Sequence, residues 1–147
     1  MARAPRIAAF QPPEPGDFVW CRFPEDRQLK PAPKPRPVLV LAVGHHETDF
    51  ALPMVRVAAG TSRKTAPADT FPWELVIERD EGGPFKASGL SYTTKFNVRN
   101  TLELPYTATF FEPPPHRPFG KTPKLGVLHP TYMAALRSAA MAAAGGR

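Results

Sequence analysis

A chain of 147 residues fits one domain, and with 42% hydrophobic residues it can bury a core of modest size without covalent staples. The single cysteine, Cys21, excludes an internal disulfide and a cysteine cluster for zinc, and fits a reducing interior such as the cytoplasm. The 19 Lys plus Arg against 13 Asp plus Glu leave a net charge of +6, which favours a polyanion or an acidic protein partner without choosing between them.

The N-terminal apolar piece, residues 7–10, is too short for a signal-peptide core, and no later segment approaches the ~20 apolar residues of a membrane span. A soluble chain with no membrane contact is the expectation. The 20 prolines are clustered, and the first cluster makes residues 1–15 an extended Pro-rich arm ahead of a single domain at 16–144. Gly16-Asp17 then forms the turn that starts a first strand at about 17–23, where Phe18, Trp20 and Phe23 are the aromatic positions. Residues 24–35 are too rich in proline for a helix and too polar for the core, so they form an exposed loop carrying Arg27, Lys30 and Lys34. A short aliphatic run predicts a second strand at 37–43, with Arg36 at its entrance between two prolines that restrict the backbone. An arginine fixed that stiffly is poised to receive an anion.

Gly44 to Asp49 read as a turn. His45, His46, Glu47 and Asp49 invite a metal reading, but their spacing matches no known ligand scheme, and no metal or other cofactor is expected. A third strand follows at 50–59. It ends in Gly60-Thr61-Ser62-Arg63-Lys64-Thr65, where hydroxyls and cations together suit either a phosphate site or an ordinary strand-ending turn. Residues 71–78 alternate as a fourth strand with Trp73, Leu75 and Ile77 on one face, and Arg79 to Pro84 signal a turn. The stretch 89–100 reads as another strand whose polar register is Ser91, Thr93, Lys95, Asn97 and Arg99, facing either a groove or solvent.

Residues 101–111 hold one or two more strands broken at Pro105, and 113–124 form a basic, proline-rich loop that either covers a groove, binds a partner or simply joins the sheet to the last elements. A short strand at 125–128 precedes a helix from Pro130 at its first position to Gly145-Gly146, with Met133, Leu136, Ala140 and Met141 as its apolar stripe.

The order GDFVWCRFP, a basic loop, KPRPVLVL and then VRVAAGTS resembles the MazF/PemK toxin family, whose members open on a GD-hydrophobic-W strand and carry Arg-Pro before the second strand. The resemblance covers roughly residues 16–140, the later part loosely, and the loop at 113–124 departs from it. It implies a mainly β fold with a C-terminal helix, a small SH3-like barrel. It further implies a metal-independent endoribonuclease that cleaves single-stranded RNA, forms a homodimer and is neutralised by an acidic antitoxin protein. On that reading Arg36 neutralises the phosphate, Thr61 or Ser62 positions it, and Arg27, Lys30, Lys34, Arg63, Lys64 and Lys95 contact RNA. The alternative is a non-catalytic barrel that keeps the basic groove for binding nucleic acid or a protein partner.

Overall fold

The computed structural model describes residues 10–26, 28–115 and 121–145. The first nine residues of the predicted arm, Arg27, and residues 116–120 of the proline-rich loop lie outside that description. Among the described residues six strands form one antiparallel sheet: β1 (Asp17–Cys21), β2 (Arg36–His45), β3 (Pro53–Thr61), β4 (Glu74–Ile77), β5 (Thr94–Pro105) and β6 (Lys124–Val127). Their spatial order is β4-β5-β3-β2-β1-β6. The described residues also hold two α-helices, a short α1 (Gly83–Ser88) between β4 and β5, and the C-terminal α2 (Met133–Gly145). The result is a mainly β, curled, barrel-like sheet with one helix of length.

Alternation along the strands sorts the core into two layers, because successive side chains leave opposite faces of the sheet. Val19, Cys21, Val38, Val40, Val55 and Val57 point to one face, where Tyr106, Phe110 and Phe111 close over them. Phe18, Leu39, Ala58, Leu75, Ile77 and Phe96 point to the other, under Leu90, Leu128 and Tyr132. Cys21 is fully buried in the first layer, where burial pushes its thiol pKa far up and keeps it neutral.

The Gly16-Asp17 turn has the predicted place and a larger task. Gly16, at φ +94°, donates to Val40 O at 2.8 Å and accepts from Leu128 N at 2.7 Å, so it links β2 to the chain just after β6. Asp17 accepts from Glu14 N at 3.0 Å and pairs with Lys124 Nζ at 3.4 Å.

Several boundaries differ from the sequence reading. Strand β2 runs on through His45, strand β3 starts at Pro53 and reaches Thr61, and strand β4 is only Glu74–Ile77. Residues 83–88, read as part of a turn and its exit, form α1: Pro84 in its first turn supplies a preset φ, and Gly89 at φ +73° ends it. The strand expected at 89–100 and the element after it are one strand, β5, which crosses residue 100 without a break. Its alternation is interrupted: against β3, the register shifts so that residues 97–100 stand opposite Ala59 alone. Asn97 Oδ1 closes this bulge by accepting from Arg99 N at 2.9 Å and Asn100 N at 3.2 Å.

The helix stripe also moves. Leu136 and Ala139 face the core, while Ala140 is exposed and Met133 and Met141 are 39% and 74% exposed. Tyr132 sets the rotation of the helix: it is buried, and its hydroxyl donates to Glu81. Burial, reinforced by that carboxylate, pushes the Tyr132 pKa up, so the phenol keeps its proton.

At the two ends of the sheet, α1 meets β6 through glycines. A Cβ added to Gly126 would overlap the backbone of Ala87 and Ser88, and one added to Gly89 would overlap Leu125. This backbone contact lets α1, which follows edge strand β4, lie against the opposite edge strand. Gly126→Ala should therefore destabilise the protein by about 2–3 kcal/mol in urea unfolding, the cost of forcing apart close-packed backbone. The same change at Gly44, whose surroundings are open, should cost under about 1 kcal/mol.

Candidate functional site

Strands β2 and β3 pair antiparallel with Val38 opposite Ala59 and Leu39 opposite Ala58. The ladder ends at the Val38–Ala59 pair, and two residues further on in each strand Arg36 opens β2 and Thr61 closes β3, at the same end of the strand pair. Arg36, Thr61 and Ser62 accordingly line one cleft of about 710 Å³, together with Lys34 and Arg63. Trp20 pairs with Pro37 across β1 and β2, and Gly60 pairs with Phe96 across β3 and β5. Gly60 has no space for a side chain: a Cβ there would overlap the Phe96 ring.

The lining mixes cations and hydroxyls with apolar and aromatic side chains, among them Trp20, Leu90, Tyr92, Pro114 and Leu125. Such a cavity can take an anionic group and an attached planar ring. Trp20 adds an unsatisfied donor, for its Nε1 is buried without a hydrogen-bond partner among the described residues. A buried N–H without a partner forgoes a hydrogen bond that it would have in water.

Arg22 ties the loop after β1 to the segment at 110–112. Its Nε pairs with Glu112 at 2.7 Å, and its Nη1 donates to Pro33 O at 2.5 Å and Ala32 O at 3.3 Å. The backbone follows, with Arg22 N donating to Phe110 O at 2.6 Å and Ala32 N donating to Arg22 O at 3.2 Å. The proline-rich loop at 24–35 is thus pinned: Ala32 is buried at 4% exposure in a segment read as wholly exposed.

The cations sort by how firmly they are engaged. Arg36 pairs with Glu25 at 3.2 Å, with side chains 40% and 60% exposed, and a pair that open is worth about 0–1 kcal/mol. A phosphate can displace Glu25 at little cost. Lys95 is the opposite case. Its ammonium pairs with Glu74 at 3.3 Å and donates to Asp69 O at 2.8 Å, with both side chains under 10% exposed. Lys95 does not line the cleft; it holds the β3–β4 connection to β5. Lys30 and Lys64 are exposed and outside the cleft lining, Lys64 at φ +53° in the turn where Thr61 Oγ1 accepts from Arg63 N at 3.2 Å. Arg27 falls on a residue outside the described ones.

His45 lies in β2 with its ring 4.2 Å from that of Phe50, and His46 Nδ1 accepts from Thr48 N at 3.2 Å. Among the described residues no three His, Cys, Asp or Glu side chains gather to hold a metal ion, and no helix is long and apolar enough to cross a membrane.

Sequence reasoning missed Glu25, Trp20, Arg22 and Pro114 as parts of this site. Glu25 is eleven residues from Arg36 with no pattern linking them, and Trp20 reads as core in any strand. Pro114 and the acceptor of Arg22, Glu112, come from a segment ~90 residues away. No protein-family model and no curated protein matches the chain.

The engagement of Lys95 has a direct consequence. Lys95→Ala leaves the Glu74 carboxylate buried and unpaired, and should lower stability by about 3–5 kcal/mol. Adding Glu74→Leu should recover most of the loss in urea unfolding, whereas a Lys95 that served only a ligand would leave stability unchanged.

Proposed function

We propose that the chain is a metal-independent endoribonuclease of the MazF/PemK kind, an SH3-like barrel that cleaves single-stranded RNA in the cleft at Arg36. The observation that carries this reading is the meeting of Arg36 with Thr61 and Ser62 at one cavity whose lining also includes the apolar and aromatic side chains Trp20, Leu90 and Tyr92. The Arg36 guanidinium makes bidentate contact with the nonbridging oxygens of the phosphate, and the Thr61 and Ser62 hydroxyls donate to the same group. The 2′-hydroxyl attacks the adjacent phosphorus. A 2′-O–P bond forms, the P–O5′ bond breaks, and the products are a 2′,3′-cyclic phosphate and a 5′-hydroxyl.

Two protons move in this scheme. Glu25, the carboxylate beside Arg36, accepts the proton of the 2′-hydroxyl as RNA draws the guanidinium to phosphate. Arg36 donates to the leaving oxygen. A guanidinium is a weak acid in water, but the departing alkoxide is a stronger base than guanidine, so the transfer runs downhill as the bond breaks. A homodimer and an acidic antitoxin segment laid across the same basic cleft belong to this reading, the latter matched to the net charge of +6.

One feature favours a second reading, a non-catalytic barrel that only binds: Arg36 already has an anionic partner, Glu25, within the chain. Incubation with mixed-sequence RNA in EDTA separates the two. The enzyme reading expects cleavage by the parent, a loss of at least about 100-fold in Arg36→Ala, and a similar loss in Glu25→Gln with RNA retention unchanged or tighter. Absence of cleavage by the parent together with salt-sensitive retention of RNA contradicts it and leaves the binder.

A further inference from the structure

Beside the cleft, the connection from β3 to β4 folds over a second, shallower depression of about 410 Å³ that includes Phe71, Pro72, Val76 and Glu78 in its lining. Phe71 is 55% exposed and yet ordered, stacked on Trp73 with parallel rings at 4.9 Å. The Arg99 guanidinium lies 4.5 Å from the Trp73 ring, brought there by the bulge in β5, whose Val98 N donates to Trp73 O at 3.0 Å. Phe71 N donates to Glu74 Oε1 at 2.9 Å, and Glu74 N to Phe71 O at 2.9 Å, so the buried Lys95–Glu74 pair also fixes this aromatic step.

Glu78 is the one ionisable group lining the depression, and it forms no ion pair among the described residues. A lone carboxylate repels phosphate and accepts hydrogen bonds, which suits the edge of a base rather than the backbone of a strand. Guanine is the natural fit. Its N1–H and N2–H₂ donors lie side by side and match the two oxygens of one carboxylate. Uracil and adenine offer a single donor group next to acceptors that a carboxylate repels, and cytosine does the same. Thr61 lines the cleft and Thr65 the depression, so at most about 14 Å of chain separates the two, a span of about four stacked nucleotides.

We infer that this depression is a base-reading subsite in which a guanine of the bound single strand stacks on Phe71 and donates to Glu78, while a nearby phosphate occupies the cleft. The inference rests on the cleft being an RNA site. It makes the depression a determinant of which RNA is bound, since stacking alone accepts any base and the carboxylate selects among them.

The test is fluorescence anisotropy with labelled 12-nucleotide single strands: all uracil, uracil with one central guanine, and the same strand with inosine, which lacks the 2-amino group. The parent should bind the guanine strand about tenfold more tightly than the other two. Phe71→Ala, a change at an exposed ring, should weaken guanine-strand binding about tenfold with an unchanged salt slope, and a melt like the parent's should confirm folding. Glu78→Gln should bring all three strands within about twofold. Equal binding of the three strands by the parent, with Arg36→Ala still weakening binding, overturns the subsite and leaves the cleft reading intact. Failure of the parent to bind any strand overturns both, and a Phe71→Ala variant that changes oligomeric mass but not RNA affinity marks the stack as a protein interface and overturns the subsite.

Discussion

The antiparallel register between β2 and β3 is the constraint on which the cleft depends. A slip of one residue would carry Val38, Val40, Val55 and Val57 out of the layer they share and onto the opposite face of the sheet. Because both faces are packed, such a slip is strongly disfavoured, and the hydrophobic pattern that fixes the register also brings Arg36 and Thr61 to the same end of the strand pair. The candidate site thus needs no separate device to bring its two halves together. It inherits its geometry from the core.

Around that register the fold adds restraints of unequal strength. The glycine contact between α1 and β6 joins the sheet's far edges and carries Gly89 and Leu90 into the cleft wall. Arg22 ties the loop after β1 to the segment at 110–112, which leads into the cleft-lining Pro114 and Pro115. By contrast, the Arg36–Glu25 pair is open to solvent and weak. The frame is stiff where it positions and loose where a ligand must enter. The same division separates the two buried members of the Lys95–Glu74 pair from the exposed cations Arg63 and Lys64, and it distinguishes structural charge from charge that is free to meet a polyanion.

What could be read from the sequence were features encoded by neighbours in the chain. Gly16-Asp17 announced the start of β1, the run after Pro37 announced β2, and hydroxyls with cations after Gly60 marked the end of β3. Other features are set by distant partners. Lys95 occupies a polar register that reads as facing either a groove or solvent, and only the approach of Glu74 and Asp69 makes its burial tolerable. The bulge at 97–100 left the sequence alternation without a cue, since Asn97 closes it through the backbone. In α2, the methionines drew the expected stripe to Met133, Leu136, Ala140 and Met141, whereas the helix anchored by Tyr132 at Glu81 turns Leu136 and Ala139 inward. Glu25 was invisible for a different reason: an acidic residue in a polar loop carries no sign of which cation it will face.

The central claim is that Arg36 and Thr61 act on one phosphate as a unit, and a double-mutant cycle on RNA affinity measures it. Single-stranded RNA binding would be compared for the parent, Arg36→Ala, Thr61→Val and the double variant at one low salt concentration. Shared contact with a phosphate predicts a coupling of at least about 1 kcal/mol, so that the double variant loses less than the sum of the two single losses. Losses that add within about 0.3–0.5 kcal/mol would mean that the two side chains meet no common group, and the account of the cleft as a phosphate site would be wrong.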